Sequence, residues 1–242
     1  MELLIKSLSK TVDGVSVLND INLEIKSGEA VALVGANGAG KTTLINCILS
    51  IYSQYSGEIL LDGLNVKDKK CENLRGKIAF ILDTTGLFST LTAWDNIEFY
   101  DRVYNPKSNV EERRERIARI FDEISLSGKE KMPVTKYSKG MKQRLSIGRT
   151  MVTCPELIVL DEPYLGLDVE GKYFLTNHLL NLKERGCAIL LSSHDLTEIE
   201  KVCDKAVFIK SGVVKEEKEL SRCGDSEAEK SELEQVYARV LM

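Results

Sequence analysis

Residues 31–43 hold the strongest constraint in this chain. The apolar run Val31-Ala32-Leu33-Val34 stops on Gly35-Ala36-Asn37-Gly38-Ala39-Gly40-Lys41-Thr42-Thr43, and helix-forming residues follow. This fits G-x-x-x-x-G-K-[ST] with a strand before it and a helix after it, the context the motif requires. Glycines let the backbone curl so that several N–H groups face one phosphate chain, and the helix that follows adds the positive end of its dipole. In such a loop Lys41 reaches the β- and γ-phosphates and the Thr42 hydroxyl ligates Mg²⁺.

A second unit completes the chemistry. Leu157-Ile158-Val159-Leu160 is a buried-strand run ending on Asp161-Glu162. In a parallel sheet the C-terminal strand edge is where ligands sit. There Asp161 would join the Mg²⁺ shell and Glu162 would take a proton from the attacking water.

The remaining pattern is α/β. Residues 3–8 and 21–25 alternate as sheet, with Asp13-Gly14 and Ser27-Gly28 as turns. Residues 43–51 read as a helix with Leu44, Ile48 and Ile51 on one face, and residues 58–61 closing on Asp62-Gly63 read as a hairpin strand. Residues 78–82, 157–160, 188–191 and 206–209 are short apolar runs, and helical stretches separate the last three. That alternation specifies a parallel central sheet flanked by helices. Helical spacing covers residues 92–125, with Thr92 and Asp95 as a capping box. Asp195 and Glu198 cap a later helix; residues 216–230 are highly charged and read as loose, and 233–241 regain a helical pattern. Trp94 is read as packing, and His178 receives no function.

Bulk properties narrow the function classes. The chain has 242 residues, 33 basic and 37 acidic, with the two signs intermixed and a net charge of −4. No basic face of the kind nucleic-acid binders carry stands out, so no nucleic-acid partner is expected. No apolar run approaches the ~20 residues of a membrane span, and the N-terminal residues lack a leader pattern, so a cytoplasmic location is expected. The six cysteines show no C-x-x-C spacing and read as reduced thiols.

Taken together, the motifs resemble those of the ATP-binding cassette (ABC) transporter family. Tyr137-Ser138-Lys139-Gly140-Met141, continued by Lys142-Gln143-Arg144, is similar to the family's signature; Gly166-Leu167-Asp168 resembles its D-loop; His194 falls where its switch histidine is expected. The likeness spans about residues 3–214. It implies a P-loop NTPase fold, with an N-terminal antiparallel β-subdomain and an inserted α-helical subdomain at about 88–153. The ATPase domain would cover 1–215, followed by a short charged extension at 216–242 ending in a helix. It implies ATP and Mg²⁺ as cofactors, and a second copy or a paralogous ATPase facing this one, so that each nucleotide lies between one phosphate loop and the partner's signature. Ser138 would donate to the γ-phosphate, Gly140 would allow close backbone approach, the helix starting near Met141 would aim its positive end there, Asp168 would belong to the nucleotide site, and His194 would bridge the γ-phosphate and Glu162.

Three positions depart from the family. Asp83 stands where a glutamine touches metal and water, and it is expected in the catalytic and metal set, with a charge that slows or retunes hydrolysis. Val12, beside Thr11, stands where an aromatic ring stacks on adenine, so weak base discrimination with GTP accepted is expected. Lys139 replaces a small residue.

The resemblance implies an ATPase powering a separate membrane permease, peripheral on the cytoplasmic face. Residues 88–104 resemble the permease-docking part. The stretches Phe80-Ile81-Leu82-Asp83 and 86–92, with the short ending, are similar to the export branch for drugs, antimicrobial peptides or lipids. The alternatives are a soluble ABC-type ATPase in cofactor assembly and a nucleotide-binding regulatory subunit of low turnover.

Overall fold

A computed structural model describes residues 1–82, 86–220 and 227–241, the last segment by backbone alone over 227–232. The chain begins with β1 (Leu3–Val12), β2 (Val15–Ile25), β3 (Ala30–Val34), α1 (Lys41–Ile48), β4 (Ser56–Leu61) and β5 (Leu64–Asn65). Next come α2 (Glu72–Arg75), β6 (Ile78–Ile81), α3 (Ala93–Tyr104), α4 (Val110–Glu123) and α5 (Lys139–Met151). It ends with β7 (Leu157–Asp161), α6 (Val169–Glu184), β8 (Ala188–Ser192), α7 (Leu196–Val202), β9 (Lys205–Lys210), β10 (Val213–Glu219) and α8 (Glu227–Leu241).

Two sheets follow from the two kinds of pattern. The alternating N-terminal segments pair antiparallel in the order β2-β1-β4-β5. The apolar runs form the second sheet, β10-β9-β3-β8-β7-β6, in which all pairings are parallel except β9 with β10. Every residue of β3, β7 and β8 is buried, as central strands covered on both faces must be. Successive side chains of these strands point to opposite faces. Val31, Leu33, Val159 and Leu190 pack with α1 and the antiparallel sheet. Ala32, Ile158, Leu160, Ile189 and Leu191 pack with Leu175 and Leu179 of α6, Ile199 of α7, and Leu233 and Val236 of α8. A third core joins α3, α4 and α5 through Ile97, Ile117, Phe121 and Leu145.

Register is what matters for the site. Leu33 pairs with Ser192, and Ser192 pairs with Asp161. The C-terminal ends of β3, β8 and β7 therefore lie side by side.

Several local expectations are corrected. The first helix begins at Lys41 and ends at Ile48; Ser50 takes φ +59° and Ile51 is exposed, so Ile51 does not share its buried face. The 92–125 stretch is two helices. Thr92 accepts from the Asp95 N–H at 3.1 Å, but its hydroxyl bonds to the Asp95 carboxylate, so the box is half formed; the reciprocal box is Asn109 with Glu112. The charged stretch from Glu216 starts as strand: Glu216, Glu217 and Lys218 pair with Phe208, Val207 and Ala206, and Arg239 of α8 ion-pairs Glu216 at 2.5 Å. Trp94 stacks on Phe121 in the third core, ring centroids 6.1 Å apart. Cys47, Cys71, Cys187 and Cys203 are buried free thiols and Cys154 is an exposed one; burial pushes the Cys47 thiol up to about 11.

One buried carboxylate ties the third core together. Asp101 of α3 is fully buried and accepts from Arg113 Nε (2.9 Å) and Arg116 Nε (2.7 Å) of α4. Breaking a buried pair from one side leaves an uncompensated charge and costs about 3–5 kcal/mol. Asp101→Ala is expected to lower the unfolding free energy by about that amount in denaturant titration; an unchanged midpoint would remove this account of the α3–α4 contact.

Candidate functional site

Between β3 and α1 the backbone turns so tightly that two glycines are obligatory. A Cβ on Gly35 would sit 2.5 Å from the Ile209 carbonyl oxygen. Gly40 takes φ +107°, and its Cβ would meet Leu18 Cδ2 at 2.8 Å. Gly40 is also the residue before the first turn of α1, and no side chain caps that turn. Its N–H groups are therefore left to a ligand. Lys41 is buried, and its Nζ donates to the carbonyls of Gly35 (2.6 Å) and Ala36 (3.3 Å), which folds the ammonium over the loop.

The register of β7 and β8 brings the carboxylates to this loop. Thr42 Oγ1 donates to Asp161 Oδ2 at 2.7 Å, and Ser192 Oγ donates to Asp161 Oδ1 at 2.5 Å. A cleft of about 460 Å³ opens here, lined by Val17, residues 37–43, Asp161, Glu162 and Leu165. Asn37, Gly38, Ala39 and Thr43 thus share one wall with Lys41 and Thr42.

Glu162 takes φ +47°, a left-handed backbone that a non-glycine residue holds only when its surroundings impose it. Ser192 imposes it: the Glu162 N–H donates to both the Ser192 carbonyl (3.2 Å) and Ser192 Oγ (2.9 Å). His194 Nδ1 lies 2.9 Å from Glu162 Oε2. Against an ionised carboxylate Nδ1 carries the proton and donates it, and in the neutral ring Nε2 is then an acceptor.

The signature residues gather elsewhere. Ser138 caps α5, its Oγ accepting from the Met141 N–H at 3.2 Å, so the helix starts at Lys139 rather than near Met141. A Cβ on Gly140 would come within 3.3 Å of the Gly166 carbonyl oxygen, and the Lys139 stem lies over Gly166. Asp168 caps α6 through the Gly171 N–H (2.8 Å) and also accepts from Arg144 Nη2 (2.8 Å). The Gly171 N–H first, and Arg144 after it, hold the Asp168 carboxyl below the usual carboxylate range. None of Ser138, Gly140 and Asp168 lines the phosphate-loop cleft. Asp83 lies outside the described residues. Val17, not Val12, lines the cleft, and none of the lining side chains is aromatic.

The ABC transporter family profile matches residues 18–165. This chain belongs to the ABC transporter family. Among ABC relatives, it is 34% identical over 209 residues to the SkfA peptide export ATP-binding protein SkfE of Bacillus subtilis, covering 86% of this chain and 85% of that one. It is 35% identical over 215 residues to the lantibiotic transport ATP-binding protein SrtF of Streptococcus pyogenes, covering 89% and 90%. A solved ATP-binding subunit of an ABC transporter superposes with TM-score 0.86 at 30% identity, over 99% of both chains. The dimeric structure of the bacterial ABC transporter cassette MJ0796 gives 0.83 at 26% identity, over 90% and 99%. The fold and phosphate loop are those of an ABC ATPase.

Sequence reasoning left Ser192 without a role, although Ser192-Ser193 directly before His194 at a strand end was the available signal. Its fully buried hydroxyl serves Asp161 and Glu162 at once. Ser192→Ala is expected to cost about 1–3 kcal/mol of stability and to lower ATP turnover, measured by denaturant unfolding and phosphate release. Wild-type values for both would show that the hydroxyl holds neither carboxylate residue.

Proposed function

We propose that the chain binds Mg·ATP in the cleft between its phosphate loop and the Asp161–Glu162 pair, hydrolyses it, and drives a separate membrane permease of the export branch. One observation carries the reading: Lys41, the Thr42–Asp161 contact and Glu162 border a single cleft, with His194 bonded to Glu162. The loop amides and Lys41 cradle the phosphates. Thr42 Oγ1 and Asp161 Oδ2 are adjacent oxygen donors, the ligand type Mg²⁺ takes, and two protein donors suit an ion that keeps most of its positions for phosphates and water. When bound, the ion neutralises charge developing on the phosphates. Glu162 accepts the proton of the attacking water, and His194 steadies the carboxylate and reaches toward the γ-phosphate.

Ser138, Gly140 and Asp168 act across an interface in this reading, because they do not line the cleft of their own chain. A second copy would bring its own Ser138 to the nucleotide. The hydroxyl accepts from Met141 and keeps its proton for a phosphate oxygen, and the first turn of α5 adds its positive end.

Among the described residues no helix is long and apolar enough to cross a membrane, so the span would come from the permease. An aromatic cluster offers the docking face. Phe88 and Phe99 are 42% and 46% exposed and contact each other edge-on at 5.0 Å, with Phe80 also exposed. A cluster of this kind marks an interaction surface. SkfE and SrtF are named for peptide export and lantibiotic transport, which supports peptides as the cargo class.

Glu162→Gln is expected to reduce kcat by ~10²–10⁴ while fluorescent-ATP binding persists; undiminished turnover would show that another group is the base. Phe99→Asp is expected to leave nucleotide binding intact but abolish co-purification of the multi-span permease from detergent extracts. A complex that survives this change would move the docking face elsewhere.

A further inference from the structure

The His194 side chain is 62% exposed, so packing does not hold it against Glu162. What anchors it lies on either side in the chain. The Ser193 N–H donates to the Leu33 carbonyl at 3.3 Å, and Ser193 Oγ accepts from the Asp195 N–H at 3.0 Å. Asp195 also caps α7 through the Glu198 N–H at 3.4 Å, a long bond in a helix of only seven residues. The short contact at Asp195 is the other one: Lys172 Nζ of α6 donates to Asp195 Oδ2 at 2.7 Å. The Lys172 ammonium stands 3.8 Å from Glu198 Oε1 as well. That hydrogen bond to Asp195 holds the ammonium above its ordinary range.

Lys172 lies one turn before Thr176 on the same face of α6, as residues four apart do. Thr176 Oγ1 is 3.2 Å from the hydroxyl of Tyr164, two residues beyond Glu162, and contacts Glu198 Oε2 at 3.4 Å. One face of α6 therefore supports the chain just past Glu162 and just past His194. The same helix is pinned to α5 at its start, by Arg144 on Asp168.

We propose that Lys172 is a positioning residue for ATP hydrolysis, holding the exposed His194 on Glu162 by fixing the carboxylate of Asp195. The inference rests on Glu162 and His194 acting as described under Proposed function. Because α6 starts at Asp168, a second copy pressing on that end would also act on the histidine through this contact. Lys172 touches neither nucleotide nor reacting atoms; its effect passes through Asp195.

The test uses Lys172→Met, which keeps the aliphatic stem and removes the charge, with Lys172→Arg as the conservative variant. Misplacing a reacting group should lower kcat about tenfold or more in Lys172→Met, with KM for ATP within about twofold and Lys172→Arg within about threefold of wild type. The structural readout is independent of turnover. The chain has two histidines, so the imidazole ¹⁵N resonances of His194 can be followed, with those of His178 as an internal control. In Lys172→Met the His194 signals should move toward a solvent-averaged tautomer mixture while those of His178 stay. Asp195→Asn should reproduce both effects and guards against a folding defect peculiar to one variant. Unmoved His194 signals, wild-type kcat, or a loss that Arg does not restore would each overturn the proposal. Absence of ATP turnover in the wild type would defeat the functional reading instead, and the His194 resonances would still decide the anchor.

Discussion

Asp161 is the point through which the site is assembled. Its carboxylate is almost wholly buried, and such a group survives only if its oxygens are satisfied. One oxygen takes the hydroxyl of Thr42 from the first turn of α1, the other that of Ser192 from the end of β8. The phosphate loop, the β7 carboxylate edge and the end of β8 just before His194 therefore share one hydrogen-bonded centre. The parallel register makes this possible, since Leu33, Ser192 and Asp161 stand level across three adjacent strands. A one-residue slip would reverse every side chain's face and separate the groups.

Around that centre the helical segment is attached by apolar packing, with Ile147 of α5 buried in the core of the parallel sheet, and by polar side chains. Gln143 Nε2 of α5 donates to the Pro163 carbonyl, one residue past Glu162, at 2.9 Å. Arg144 reaches Asp168 at the start of α6. Arg149 Nη2 donates to the Phe80 carbonyl at 2.7 Å, and its guanidinium lies over the Tyr100 ring. Three positions of one helix thus touch the segment after β7, the start of α6 and the exposed aromatic cluster. Helix α5 also carries Ser138 at its start, so one helix runs from that residue to the contact with the proposed permease face.

The elements legible in the sequence were those whose residues report burial directly. The runs that became β3, β7 and β8 are apolar throughout because both faces are covered, and the glycines at 35 and 40 answer to close backbone approach. The β10 strand was not legible: as an edge strand it exposes Lys215, Glu217 and Glu219, so its charge looked like a loop. Helix α1 ended early because Ser50 turns left-handed, a tertiary choice that propensity does not encode. Within the site, Asp161, Glu162 and His194 were readable as residue types at strand ends. Their mutual distances were not, and neither was Ser192, whose role depends on the register of two strands far apart in the chain.

Burial also divides the site into two halves. Lys41 and Asp161 are buried, so the half of the cleft that would hold the phosphates in the proposed reading lies within one chain. Glu162 and His194 have side chains 20% and 62% exposed, and Ser138 and Asp168 are exposed too. Between solvated partners a charge-assisted contact is weak, and removing water strengthens it several-fold. In the proposed reading, nucleotide binding and proton transfer would therefore be governed by different surfaces. The first would be built into the parallel sheet, whereas the second would require something to cover the Glu162–His194 pair. A facing copy that delivers Ser138 would also exclude water from that pair, so closure would raise the electrostatic worth of groups already in place without rearranging them.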